Sequence, residues 1–125
     1  MVEPQTYDFA PLMSGQGDRR DVSFPLNNGL IAKITLDTGK NFVMVESTAE
    51  DLTTLRNPKL AKVVNDKNLT DSAGGYIYKE GKLHYRTSTL FVKGEFPEEV
   101  IRQMLGLHQA SEVRANLESI KRDSQ

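Results

Sequence analysis

Cysteine is absent from this 125-residue chain. That excludes a disulfide framework, a thiol nucleophile, an iron–sulfur cluster and the sulfur-ligated zinc sites, and it fits a reducing compartment. Long apolar runs are missing as well. The longest, Phe42 to Val45, falls far short of the roughly 20 residues a helical membrane span requires, so no membrane segment is expected. Met1-Val2-Glu3-Pro4 places an acid and a proline where a secretory leader carries basic and then apolar residues, which makes the cytoplasm the expected location. Charge of one sign is not in excess either: 16 basic side chains face 17 acidic ones. Divided at Val64, the counts are 7 against 8 and then 9 against 9. Neither half has the basic surplus that a phosphate backbone attracts.

Histidine is scarce. His84 and His108 are the only two, and the one carboxylate at ligand-like spacing is Glu112, four residues after His108. Such pairs are common on solvated helices, so no metal site and no cofactor are expected, and His108 is read as a surface or boundary residue. Gly15-Gln16-Gly17 lacks a preceding strand and a third glycine, and Gly74-Gly75 leads into a strand, so neither forms a phosphate loop. No serine sits in a Gly-x-Ser-x-Gly elbow. Asn68-Leu69-Thr70 matches a glycosylation sequon, and with no secretory leader expected the match is read as chance.

What is present is a succession of apolar periods. Residues 1–20 mix Pro4, Pro11, Gly15 and Gly17 with Tyr7, Phe9, Leu12 and Met13, the composition of an irregular, partly docked arm. Residues 21–125 read as one domain. Val22, Phe24 and Leu26 alternate with polar residues as in a half-buried strand. Asn27-Asn28-Gly29 turns the chain into a second strand, Leu30 to Leu36, and Asp37-Thr38-Gly39-Lys40 turns it into a third, Asn41 to Ser47, apolar on both faces. Thr48 with Asp51 imitates a capping box and predicts a helix start. Asn57 and Pro58 start another short helix through Leu60, Val63 and Val64, and Asp66 to Gly75 reads as a loop. Glu80-Gly81 then closes a hairpin in which Tyr78 faces Leu83 and Tyr76 faces Tyr85, setting three tyrosines on one face.

Phe96-Pro97-Glu98-Glu99 opens the final helical region. Val100, Ile101, Met104, Leu105 and His108 trace one stripe, whereas Val113, Leu117 and Ile120 fall nearly opposite at about 100° per residue. A break near Gln109 to Ser111, with Ser111 recapping, or burial of two faces against different surfaces accounts for this. The predicted fold is α+β: one antiparallel sheet of about five strands with helices mainly on one face, in the order β-β-β-α-β-β-α.

That order, together with the stretch KLAKVVNDKNLTDSAGGYIYKEGKLHYRTSTLFVKGEFPEEVIRQML, resembles the YbjN and type III secretion chaperone-like superfamily. The shared layout is a short helix, a hairpin with a long second arm, and a helix opened by Pro-Glu-Glu, within Leu60 to Glu118. The chain departs from the family at residues 1–20, which are poor material for its usual first helix. The resemblance implies a non-enzymatic protein that binds other polypeptides, often as a dimer.

The residues allow this reading, since no acid, base and nucleophile converge in the sequence. Two surfaces are expected to bind a protein or peptide. One is the strand of Val22, Phe24 and Leu26, where Pro25 lacks a donor and so favours a sheet edge. The other is the stripe of Val113, Leu117 and Ile120, a place for self-association as a homodimer, unless the helix folds back onto its own core with Tyr7 to Met13 covering the rest. A small enzyme or ligand-binding domain built on Glu46, Arg86 and His84 is the alternative. A third reading stacks single-stranded nucleic acid on Tyr76, Tyr78 and Tyr85 beside Lys79, Lys82 and Arg86; Glu80 and the neutral charge weigh against it.

Overall fold

Alternation of apolar and polar residues builds the sheet. The computed structural model describes residues 6–14, 17–71 and 74–125. Strands β1 (Arg19–Pro25), β2 (Ile31–Asp37), β3 (Phe42–Thr48), β4 (Gly75–Lys79) and β5 (Lys82–Leu90) pair antiparallel in the order β1-β2-β3-β5-β4. The fold is the α+β sheet the sequence predicts. The hairpin joins the meander through β5, so its longer arm becomes interior and the five-residue β4 becomes an edge. The Glu80-Gly81 turn has positive φ at both residues, 54° and 82°, the geometry that matches strand twist. Tyr78 lies opposite Leu83 and Tyr76 opposite Tyr85, as expected.

Register assigns the two faces. Ile34, Val45 and Thr87 align across three strands, and Ala32, Ser47, Tyr85 and Tyr76 across four. Helices α2 (Pro58–Thr70), α3 (Glu98–His108) and α4 (Ser111–Asp123) cover this face, and nearly all of its side chains between β2 and β5 are buried. The arm is docked here too. Phe9 and Leu12 are in the core, α1 (Ala10–Met13) is a single turn, and Tyr7, Phe9, Phe24 and Phe96 form an aromatic cluster with the Arg102 guanidinium 5.0 Å above the Phe9 ring. Residues 1–5, 15 and 16, including most of the Gly-Gln-Gly segment, lie outside the described residues.

Three local expectations are corrected. The capping box at Thr48 is not used: β3 runs through Thr48, whose hydroxyl donates to the Leu83 carbonyl at 2.6 Å, and only one 3-10 turn follows, Glu50–Leu52. Asn57 does cap α2, accepting from the Leu60 amide at 2.8 Å, but the helix continues to Thr70 through the segment read as a loop. Packing on α4 and the grip of Asn68 on β4 hold those polar turns, tertiary terms that periodicity does not report. The break between α3 and α4 falls where the stripe changes face, yet Ala110 stands at the cap and Ser111 is already helical. Asn28 secures the break, donating to the carbonyls of His108 at 2.8 Å and Ala110 at 3.4 Å.

Candidate functional site: the uncovered face of the sheet

Strand side chains of the other parity point away from the helices. Register places Ile31 and Lys33 of β2, Phe42, Met44 and Glu46 of β3, His84, Arg86 and Leu90 of β5, and Ile77 and Lys79 of β4 on this face. Ile31 and Leu90 are exposed; Phe42, Met44 and Ile77 are half-buried. At its centre lies Glu46, only 5 % exposed, with Lys33 opposite on β2 and Arg86 opposite on β5. Its carboxylate accepts from Arg86 Nη2 at 2.9 Å and from Lys79 Nζ at 3.2 Å. Burial alone pushes this carboxyl up, but hydrogen bonds from Arg86 and Lys79 and their charges outweigh it, holding it below the usual carboxylate range.

His84 sits beside this cluster, opposite Ile77. Burial lowers its pKa; the Lys79 and Arg86 charges add to that, while the charge of Glu46 and a backbone hydrogen bond at Lys79 oppose it. At neutral pH the group is therefore a neutral imidazole beside an ionised carboxylate saturated by two cations. The two ion pairs leave Glu46 little capacity as a general base. With Lys33, Lys79 and Arg86 around one carboxylate, the patch keeps an excess of positive charge. Two of its nitrogens, His84 Nδ1 and Arg86 Nε, are buried without a hydrogen-bond partner. The arrangement can recognise a polar group.

The other sequence-selected residues are distributed differently. Tyr76, Tyr78 and Tyr85 share a face, but it is the helix-covered one: Tyr76 and Tyr85 are buried, and the Tyr76 hydroxyl accepts from Asn116 at 2.8 Å. No base can stack on Tyr76 or Tyr85 there, and Tyr78 is half-buried. Val113, Leu117 and Ile120 lie in the chain's own core because the break at Ala110 turns their stripe onto the sheet. The structure therefore places these three as the fold-back alternative does, with none of them exposed. Val22 and Phe24 are half-buried on β1, and Leu26 is buried just beyond it.

His108 is the residue the sequence reading misplaced. It is fully buried, its Nδ1 hydrogen-bonded to Ser47 Oγ and its Nε2 2.9 Å from Thr87 Oγ1. The signal was its position in the stripe of Ile101, Met104 and Leu105. A serine beside an imidazole invites comparison with a nucleophile and its base, but both are sealed in the core and a threonine hydroxyl occupies the place of the orienting carboxylate. The grooves on the surface lie elsewhere. One of about 500 Å³ adjoins Leu55, Asn57 and Ser124, and one of about 400 Å³ adjoins Leu12, Phe91 and Phe96; neither is lined by Glu46, His84 or Arg86. Among the described residues no three His, Asp or Glu side chains gather to hold a metal ion, and no helix is long and apolar enough to cross a membrane.

Comparison with known proteins adds no relative: no family model, no curated protein and no solved structure matches the chain.

Proposed function

We propose that this chain is a non-enzymatic polypeptide-binding domain whose docking surface is the uncovered face of the sheet. The observation that carries the reading is the composition of that face. Exposed or half-buried Ile31, Met44, Ile77 and Leu90 surround a cluster in which Lys79 and Arg86 pair with the Glu46 carboxylate and Lys33 lies opposite it in register. A flat apolar surface with a polar centre suits a protein contact, whereas small ligands favour concave sites. The charge excess assigns the partner's chemistry: an acidic segment with apolar side chains flanking the acid. The resemblance of the sequence's layout to the YbjN and type III secretion chaperone-like superfamily points to the same class of activity. The pocket reading built on Glu46, Arg86 and His84 loses ground because the three converge on an open face and not in a groove.

The test is nuclear magnetic resonance titration with an unfolded acidic polypeptide, reduced and carboxymethylated α-lactalbumin. Amide shifts confined to β3, β4 and β5, weakened by Lys33→Glu, support the reading; Lys33 is exposed and its reversal leaves the core intact. Unmoved sheet resonances overturn it. Stabilisation by a small metabolite in a thermal-shift screen transfers the assignment to a ligand-binding domain.

A further inference from the structure

The uncovered face holds one titratable ring among fixed charges. His84 shares its side of β5 with Lys82, two positions before it, and with Arg86, two positions after it. Lys79 of β4 stands opposite Lys82, and from β3 the charge of Glu46 reaches the ring. Lys82 is paired with Glu50 at 2.7 Å. Glu50 and the turn residue Glu80 are exposed, and Lys33 of β2 lies beyond Glu46 in register. Burial holds the ring neutral, and the charges of Lys79 and Arg86 add to that, against the charge of Glu46 and a backbone hydrogen bond at Lys79. The Nδ1 atom is already buried and has no hydrogen-bond partner. A proton arriving there is opposed by its surroundings, with no existing bond to break.

We propose, on the docking reading above, that binding at this face takes up a proton at His84, so that the chain holds an acidic polypeptide more tightly as the solution becomes mildly acidic. An acidic segment laid over Lys79 and Arg86 screens the two cations that oppose the imidazolium, and its own carboxylates attract the added charge. Docking also covers the ring, which works the other way. That opposition is small because Nδ1, the nitrogen without a partner, is buried before anything docks. The new negative charge acts in full, and the exclusion of water strengthens it. Linkage makes the effect reciprocal: a polypeptide that favours the proton is favoured by it to the same factor. The neighbouring groups do not compete for this proton. Glu46 is held below the usual carboxylate range by its ion pairs, and His108, sealed in the core, titrates near pH 4. Affinity therefore rises as pH falls through the docked-state midpoint of His84 and levels off below the free-state midpoint.

With only two histidines in the chain, the proton can be followed directly. The isotope-labelled chain is titrated from pH 8 to pH 5, alone and with saturating unlabelled reduced and carboxymethylated α-lactalbumin, while the His84 imidazole resonances, assigned through bonds from its own amide, are recorded. The midpoint is expected below 6.5 in the free chain and about one pH unit higher in the complex. Affinity is expected to rise at least about threefold from pH 7.5 to pH 5.5 and to stay level in His84→Gln. A midpoint that stays or falls on binding, or an affinity level in the unmodified chain, overturns the proposal while shifted sheet amides leave the docking reading standing. A pH dependence that persists in His84→Gln also overturns it, since the proton then binds elsewhere. Sheet amides unmoved at every pH remove the docking reading and the proposal together. The midpoints are read on the unmodified chain, so they decide even where His84→Gln does not fold.

Discussion

Acidification should weaken the fold through His108. The imidazole is fully buried between Ser47, Thr87 and the edge of Tyr85, whose ring centroid lies 4.8 Å away. Burial lowers its pKa from 6.5 to about 4, and no charge contributes to that shift. The two hydroxyls can rotate to accept from either nitrogen, so hydrogen bonding does not oppose protonation; desolvation does. The unfolded chain binds this proton near pH 6.5 and the folded chain only near pH 4. Stability is therefore complete above pH 6.5, declines as pH falls between those values, and is level in this respect below 4. At about 1.4 kcal/mol per pH unit, the interval amounts to about 3 kcal/mol, a large share of the roughly 5–15 kcal/mol that holds a domain together. Urea unfolding at pH 7.5, 6, 5 and 4 measures it, with His108→Gln as the reference that keeps polar contacts but does not titrate. The variant is expected to lose about 3 kcal/mol less than the parent across the series, because carboxylate effects are common to both. Parallel pH profiles for the two proteins would refute the reasoning.

Other expectations concern the same core and its margins. Leu117→Ala, at a fully buried position of α4, is expected to cost about 2–5 kcal/mol in urea unfolding; a cost under 1 kcal/mol would return that stripe to a surface role. Asn57→Ala removes the α2 cap and should cost about 1 kcal/mol, read as a lower midpoint at unchanged slope. Gly74→Ala would place a methyl 2.6 Å from the Tyr85 hydroxyl and 2.8 Å from the Arg86 carbonyl. The backbone cannot yield cheaply there, so a fall in melting temperature is expected and a neutral result would count against the close approach. Asn68→Ala strips both partners from the Tyr76 backbone, with an expected loss of about 1–3 kcal/mol and faster hydrogen exchange at the Tyr76 amide.

The sheet was legible because period two is a short-range signal that each strand carries by itself. Leu30 to Leu36 and the long arm read from Lys82 to Val92, which ends at Leu90 in the structure, needed only their own alternation, and the two-residue Glu80-Gly81 turn fixed the Tyr76–Tyr85 pairing by counting. Which face the helices cover was not legible. In β3 Phe42 and Met44 are as apolar as Val43 and Val45, and only the opposing strands decide that the valines are inside. The same limit applied to the candidate site. His84 and Arg86 share a parity on one strand, but their meeting with Glu46 depends on the β3–β5 register, a pairing between segments separated by helix α2. The stripe of Val113, Leu117 and Ile120 was visible as a change of face at the right place; its destination depended on Asn28, which ties a turn near the start of the chain to the end of α3.

The carboxamide of Asn68 has a consequence for how far sheets of this kind can grow. A sheet with two open edges is a monomer for polymerisation: each addition regenerates the site it consumed, and growth ends only in a filament. Here the Asn68 carboxamide meets the outward amide and carbonyl of Tyr76, so at that point the β4 edge offers an incoming strand neither donor nor acceptor. A single asparagine thereby acts at that edge as a chain stopper, in the sense a polymer chemist gives the word.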